Sequence, residues 1–219
     1  MMTDYEEIPY VPYAPPSTPL GAAEAFRAVM ARRRSVRDFA ATPVAREVVT
    51  SLVASATTAP SGANKQPWRF IAVGDPAKKR EIRLGAEEEE REFYARRAPG
   101  PWLKDLAPLG TDWRKPFLET APWLVAVFRL SKCDDGSDVY YAQESVGLAV
   151  GLFLAAAQHA GLATLTHTPS PMRFLNRILD RPAHEHPFVL IPVGYAAEGC
   201  RTPAFGATRR PLDEVLRFL

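Results

Sequence analysis

Apolar residues recur at helical spacing in two early segments of the chain. Residues 21–34, GAAEAFRAVMARRR, read as a helix whose basic last turn suits the negative end of its dipole. Residues 45–58 read as a second helix, with Val48, Val49, Leu52 and Val53 along one side. A loop of small, polar and proline residues, APSGANKQPW, leads into RFIAVG, a buried strand that stops at the turn Gly74, Asp75, Pro76. Helix and strand then alternate: a highly charged helix over 77–97, an apolar strand over 121–130, a long helix over 140–160, a strand over 162–166, a short helix over 174–179 and a strand over 188–193. That order predicts an α/β or α+β sandwich, a mixed central sheet flanked by helices.

The helix over 140–160 departs from the usual amphipathic pattern. Its stretch VGLAVGLFLAAA is apolar all the way round, which predicts burial on every side. Gly147, Ala149, Gly151, Ala155 and Ala156 would let another helix approach closely, at a dimer interface or in the centre of a monomer's core. The two ends of the chain have a different texture. Residues 8–19 carry so many prolines that this arm is biased to extended backbone and needs another surface, such as a partner subunit, to order it. Near the other end, a Gly-, Ala-, Thr- and Arg-rich linker over 194–211 would let the C-terminal PLDEVLRFL dock elsewhere. The expected organisation is an arm, residues 1–20, and one domain, residues 21–219.

Composition narrows the function. With 219 residues, 47% of them hydrophobic, the chain can bury one substantial core. A formal net charge of +2 argues against nucleic acid or an anionic membrane as partner, so basic residues that matter act locally. Cys133 and Cys200 form no Cys-x-x-Cys, and His159, His167, His184 and His186 lack ligand spacing, so no metal site is expected. The N-terminus is acidic and proline-rich where a signal peptide needs a basic start and an apolar run. The most apolar run, residues 146–157, is shorter than the ~20 residues of a bilayer span. The cytoplasm is the expected compartment.

Two local clusters carry candidate chemistry. Arg33, Arg34, Ser35 and Arg37 set three guanidiniums and a hydroxyl at a helix end, an arrangement suited to a phosphate or equally to a solvated basic turn. Pro60, Ser61, Gly62, Ala63, Asn64 and Gln66 form a turn that exposes backbone N–H groups without bulk that would block a flat ring. Glu87 to Glu90 is a charge run of the kind that ordinarily faces solvent. Glu90 and Tyr94, four residues apart on a helix, can nevertheless point at one ligand.

Taken together, RRRSVRDF, a helix and APSGANKQPWRF resemble the signature of the nitroreductase-like flavoprotein superfamily. Glu90 with Tyr94, then Trp113-Arg114-Lys115, THTP at 166–169, RPAHE at 181–185, LIPVGY at 190–195 and RRPLDE at 209–214 resemble the iodotyrosine deiodinase family over about residues 31–214. The resemblance implies a nitroreductase-like fold in an intertwined homodimer that holds FMN between its subunits. Arg33, Arg34, Ser35 and Arg37 would face the phosphate and pyrimidine, Ser61 and Gly62 would come from the neighbouring subunit, and Arg209 would add a further contact. Thr166 and Thr168 would lie near the isoalloxazine, the Thr168 hydroxyl beside flavin N5, where it would favour stepwise electron transfer over hydride transfer. Arg210 stands where the family has lysine, and His167 where the animal enzymes have threonine.

The activity so implied is FMN-dependent reductive dehalogenation of halogenated tyrosines such as mono- and diiodotyrosine, with a general nitroreductase or quinone reductase as the alternative. A free halotyrosine is a zwitterion, and burying it requires counter-charges. Glu90 would take the ammonium, Lys115 the carboxylate and Tyr94 a hydrogen bond, while the Ala63 N–H would meet the phenolate. Trp113, beside Lys115, is a candidate to line the closed lid. No Gly-x-Gly-x-x-Gly follows a strand, so the electron donor, NAD(P)H or a reductase protein, is left open.

Overall fold

A computed structural model describes residues 6–219, in two compact units that meet at Arg32 and Arg33. In the first, α1 (Pro19–Met30) starts where the Thr18 side chain accepts from the Gly21 N–H at 3.2 Å and Pro19 pre-sets the first turn. It ends four residues before the expected stop, so Arg32, Arg33 and Arg34 lie beyond its last turn. Residues past it are extended instead, Ser35 making a parallel bridge to Thr164 and the Val36 N–H donating to the Thr164 carbonyl at 3.0 Å.

The second unit is built on four strands, β1 (Trp68–Val73), β2 (Trp123–Leu130), β3 (Ala163–Thr164) and β4 (Glu185–Gly194), in the order β1-β2-β4-β3. All named neighbours pair antiparallel, Trp68 opposite Arg129, Trp123 opposite Val193 and Ala163 opposite Gly194, with a bulge at Val127/Phe128. The parallel bridge at Ser35 makes the sheet mixed. The strand expected over 162–166 is only two residues long, its pairing with β4 continuing as an isolated bridge between His167 and Leu190.

Alternation along β2 explains the layers. Val125 and Val127 face α2 (Arg46–Ala56) and α6 (Ala142–His159), packing on Val49, Leu52, Val146 and Phe153. Leu124, Ala126 and Phe128 face the opposite way, onto Ile82 and Ala86 of α3 (Pro76–Glu92), Phe117 and Leu118 of α5 (Phe117–Thr120) and Leu175 of α7 (Phe174–Ile178). Helices cover both faces, so β2 is apolar throughout its centre. Two helices that the chain's periodicity does not announce, α4 (Gly100–Leu106) and α5, are too short to display a repeat. The C-terminal α8 (Leu212–Val215) is exposed, as are Phe218 and Leu219 beyond it.

Within one chain, α6 is covered on one side: Ser145, Val146, Ala149, Val150, Phe153 and Ala157 are buried, while Gly147, Leu148, Gly151 and Leu152 form an exposed apolar face. None of the helices among the described residues is long and apolar enough to cross a membrane.

Phe128, fully buried where β2 meets α3 and α5, tests the packing. Phe128→Ala should lower unfolding stability by about 3–5 kcal/mol, read as a drop in the urea midpoint; a loss under about 1 kcal/mol would show that this layer is loosely packed.

Candidate functional site

Helix α3 carries a polar stripe down one side. Asp75 caps it, accepting from the Lys78 N–H at 2.8 Å. Lys79, Arg83 and Glu87 then recur every four residues and so share a face, and all three hold the returning segment 115–121. The buried Lys79 ammonium donates to the Glu119 and Ala121 carbonyls at 2.9 and 2.8 Å. Arg83 pairs with both Glu119 and Glu87. The other Glu87 oxygen accepts the Lys115 main-chain N–H at 2.8 Å.

One turn further along, Glu90 meets the side chain of the same lysine. Lys115 Nζ lies 3.2 Å from Glu90 Oε2, with both side chains largely buried, and also donates to the Asp112 carbonyl. Burial pushes the Lys115 ammonium below its usual range, and Glu90 opposes that shift. A π turn (Phe93–Arg97) extends α3 and presents Tyr94, whose hydroxyl hydrogen-bonds Thr111 Oγ1 at 2.8 Å. Burial raises the Tyr94 phenol.

The facing wall is the segment after β3. Thr166 and Thr168 are exposed while His167 between them is buried, as expected for extended chain whose side chains alternate. His167 exchanges both main-chain hydrogen bonds with Leu190 of β4, each 2.9 Å, so the sheet fixes the orientation of the two threonines. The His167 ring stands edge-on to Phe117, and its buried Nε2 has no partner. Burial, with Lys115 and Arg37 nearby, lowers its pKa to about 3. Arg37, Glu90, Tyr94, Lys115, Thr166 and Thr168 therefore line one cavity of about 230 Å³.

The other candidates lie in two further places. Arg33, Arg34 and Arg209 are close enough for the second and third to depress the Arg33 pKa, after burial, which is the largest cause. Arg33 and Arg209 have no carboxylate partner among the described residues; Arg209 donates to the Gly206 and Thr208 carbonyls. Ser35 sits in the bridge to Thr164.

Ser61, Gly62 and Ala63 are not among the residues lining the cavity. Their loop packs on the start of α6, where a Cβ on Gly62 would come within 2.7 Å of the Tyr140 carbonyl oxygen, so glycine is required there. Ser61 Oγ accepts from the Gln66 N–H at 2.9 Å and stabilises left-handed backbone at Ala63 (φ 49°), Asn64 and Gln66. No acceptor among the described residues takes the Ala63 N–H.

Two expectations need correction. Trp113 does not line the cavity: the guanidiniums of Arg91 and Arg114 lie over its ring, 4.4 and 5.2 Å from its centroid. Trp102, edge-on to Phe93, lines it instead. The Glu87–Glu90 run is not a uniformly solvated face either, because Glu87 is buried and Glu90 nearly so, leaving Glu88 exposed. Lys79, Arg83 and Glu87 are the functional neighbours that reading the residues one by one misses. Their four-residue spacing, two cations followed by a carboxylate, is the signal that could have found them.

The neutral His167 gives a pH prediction. Its folded pKa, about 3, lies below the ordinary 6.5, so between those values the unfolded chain takes a proton that the folded chain refuses. Its contribution is complete above about pH 6.5 and is lost as pH falls toward 3, amounting to about 2 kcal/mol between pH 7 and pH 5. His167→Gln should shrink the fall in urea midpoint over that interval. Equal falls in the two proteins would refute a buried neutral imidazole.

Comparison with known proteins converges on one family. The nitroreductase family profile matches residues 30–195. An iodotyrosine deiodinase of Haliscomenobacter hydrossis is 50% identical over 202 residues, 89% of this chain and 91% of that protein. Human iodotyrosine deiodinase 1 is 37% identical over 222 residues, 96% of this chain and 75% of that one. Among solved structures, oxidised iodotyrosine deiodinase bound to FMN and 3-iodo-L-tyrosine superposes with a TM-score of 0.73 at 34% identity, covering 79% of this chain and 90% of that one. The FMN-dependent nitroreductase NfnB of Mycobacterium smegmatis, in complex with NADPH, shares the fold, with a TM-score of 0.68 at 19% identity over 90% of this chain and 99% of that one. With the paired lid, the threonine wall and these relatives in agreement, the chain belongs to the nitroreductase family and, within it, to the iodotyrosine deiodinases.

Proposed function

We propose that this chain is an FMN-dependent reductive dehalogenase of free halogenated tyrosines, mono- and diiodotyrosine among them, with halide and tyrosine as products. The observation that carries the reading is the Glu90–Lys115 ion pair beside Tyr94, over the cavity into which Thr166 and Thr168 open.

The residues present fit FMN. Guanidiniums gathered without a counter-charge, as at Arg33 and Arg209, call for an anion such as a phosphate monoester. Exposed Thr166 and Thr168 offer hydroxyls on the neighbouring wall. Arg33, Arg34, Ser35, Arg37, Arg209, Thr166 and Thr168 would hold it from one subunit, and Ser61 and Gly62 from the partner. When bound and reduced, FMN supplies the two electrons that, with one proton, replace the carbon–halogen bond by carbon–hydrogen and free the halide.

The lid residues account for the zwitterion. Glu90 and Lys115 neutralise each other, so neither charge is stranded in the buried cavity. An amino acid entering between them gives its ammonium to Glu90 and its carboxylate to Lys115, exchanging one ion pair for two. A phenol lacking those groups must share the cavity with the unbroken pair and gains nothing from it. Tyr94 closes the same side, and the unclaimed Ala63 N–H of the partner subunit would meet the phenolate oxygen.

That last contribution requires a homodimer, which we propose on four grounds. A cavity of about 230 Å³ is smaller than the ~300–1,000 Å³ usual for ligand sites, so one chain lacks a wall. The Ser61–Gly62 loop lies off its own chain's cavity. The Leu148 and Leu152 face of α6 is uncovered. The exposed Leu216, Phe218 and Leu219 suit the apolar groove of about 900 Å³ along the free edge of β1, lined by Val53, Phe70, Ile71 and Trp123, which would intertwine two copies. Residues 21–219 then form the FMN-binding domain and residues 1–20 an arm, in a cytoplasmic enzyme whose cysteines stay free.

Chemically reduced, FMN-loaded protein should release halide from mono- and diiodotyrosine. Thr168→Ala should cut that release at least about tenfold, the loss of one well-placed donor, and raise nitroarene reduction. Nitroarene turnover by the unmodified protein with no halide released would replace this reading by a general nitroreductase. For the dimer, Leu148→Asp should give a monomer in sedimentation that no longer retains FMN; a flavin-retaining monomer would refute a shared site.

A further inference from the structure

We infer that Glu87 is a positioning residue, one that fixes Lys115 through its main chain so that the ammonium keeps its place when Glu90 turns to the substrate. The inference rests on the halotyrosine reading above.

Four bonds hold Lys115: its N–H to Glu87, its ammonium to Glu90 and to the Asp112 carbonyl, and its own carbonyl, which accepts from the Leu118 N–H at 3.0 Å. Binding an amino acid removes one of them, since Glu90 exchanges the lysine for the substrate's ammonium. Lys115 must then remain poised with three, of which only the Glu87 bond ties it to the rigid helix that also carries Glu90. Glu87 and Glu90 are three residues apart on α3, so the tether and the ammonium-binding carboxylate move as one body.

Glu87 is itself held. Its second oxygen accepts from Arg83 Nη1 at 2.9 Å, and Arg83 also pairs with Glu119, at the end of α5 where Lys79 binds the Glu119 and Ala121 carbonyls. A buried carboxylate that accepts one main-chain N–H and one guanidinium is satisfied without touching the ligand. Glu87 is not among the residues lining the cavity, which separates its role from those of Glu90, Tyr94 and Lys115. The distance between the two lid charges, and hence the fit to an α-amino acid, is set from behind the cavity wall.

The test compares Glu87→Leu, which fills the space but accepts no hydrogen bond, with Glu87→Gln, whose amide oxygen can still accept from the Lys115 N–H while the charge opposite Arg83 is lost in both. Glu87→Leu should raise the ratio of KM for iodotyrosine to KM for iodophenol on the order of 10- to 100-fold, the range of a charge-assisted bond. The kcat at saturating iodotyrosine should change far less. Glu87→Gln should restore most of the ratio. Equal ratios in the two variants, or a parallel rise in both KM values, would overturn the assignment in favour of a purely structural carboxylate.

Amide hydrogen exchange on the FMN-loaded wild-type protein gives a second readout that needs neither variant nor substrate. The Lys115 amide should exchange on the order of tenfold more slowly than that of Trp113, and equal rates would count against Glu87 directly. If wild-type protein fails to prefer iodotyrosine over iodophenol while the Lys115 amide is protected, the halotyrosine reading has failed and the tether has not.

Discussion

A buried ammonium has to be answered by a negative partner, and in this molecule that requirement shapes one whole side of the domain. Removing an ion from water costs several kcal/mol even after the protein relaxes, so Lys115 can sit at 5% exposure only because Glu90 and the Asp112 carbonyl reach it. To bring those groups together α3 must run long enough to carry Glu90 and then Tyr94 past the sheet, and the chain must fold back through residues 110–116. Trp113, with the Arg91 guanidinium over its ring, joins that returning loop to the same helix. The Glu90–Lys115 pair is therefore an ordered, electrically balanced arrangement, and on the proposed function substrate entry would be an exchange of partners.

The opposite wall obeys a different constraint, that of the sheet. Residues 165–168 lie beyond the two-residue β3, yet the paired main-chain bonds between His167 and Leu190 hold them in line with β4. Alternation then does the rest: with His167 committed inward against Phe117, Thr166 and Thr168 must face out. The parallel bridge between Ser35 and Thr164 brings the start of the guanidinium segment to the same edge. One short strand and its continuation thus align the guanidinium segment with the hydroxyls, and an imidazole whose Nε2 meets no partner among the described residues is what that alignment costs.

Much of the scaffold was legible because each element repeats its own period. The strand over 121–130 and the helix over 140–160 appear within two residues of where apolar spacing puts them. A uniformly apolar helix such as α6 must be covered, but periodicity does not say whether its own chain does the covering. Leu148 and Leu152, exposed here, carry the same signal as Val146 and Phe153. The Glu87–Glu90 run misleads for a related reason, since carboxylates that face solvent and carboxylates that face a returning loop are the same residues until residue 115 is placed beside them. Family resemblance supplied Glu90, Tyr94 and Lys115 but was silent on Lys79, Arg83 and Glu87, which touch no ligand. Short helices such as α4, less than two turns long, offer too few positions for any period to show.

The two basic sites of the domain keep their counter-charges in different places. Around Arg33 the neighbouring charges Arg209 and Arg34 add to burial in lowering its pKa, so an anion bound there would relieve a repulsion as well as gain its own contacts. Around Lys115 burial is opposed by Glu90, so that ammonium has its counter-charge within the chain. On the proposed function, a phosphate leaving the first site would restore the repulsion, whereas a zwitterion leaving the second would let Glu90 and Lys115 close on each other and recover part of what its contacts were worth. A retained phosphate at one site and an exchangeable amino acid at the other would then follow from where each counter-charge is kept: outside the chain in one case, inside it in the other.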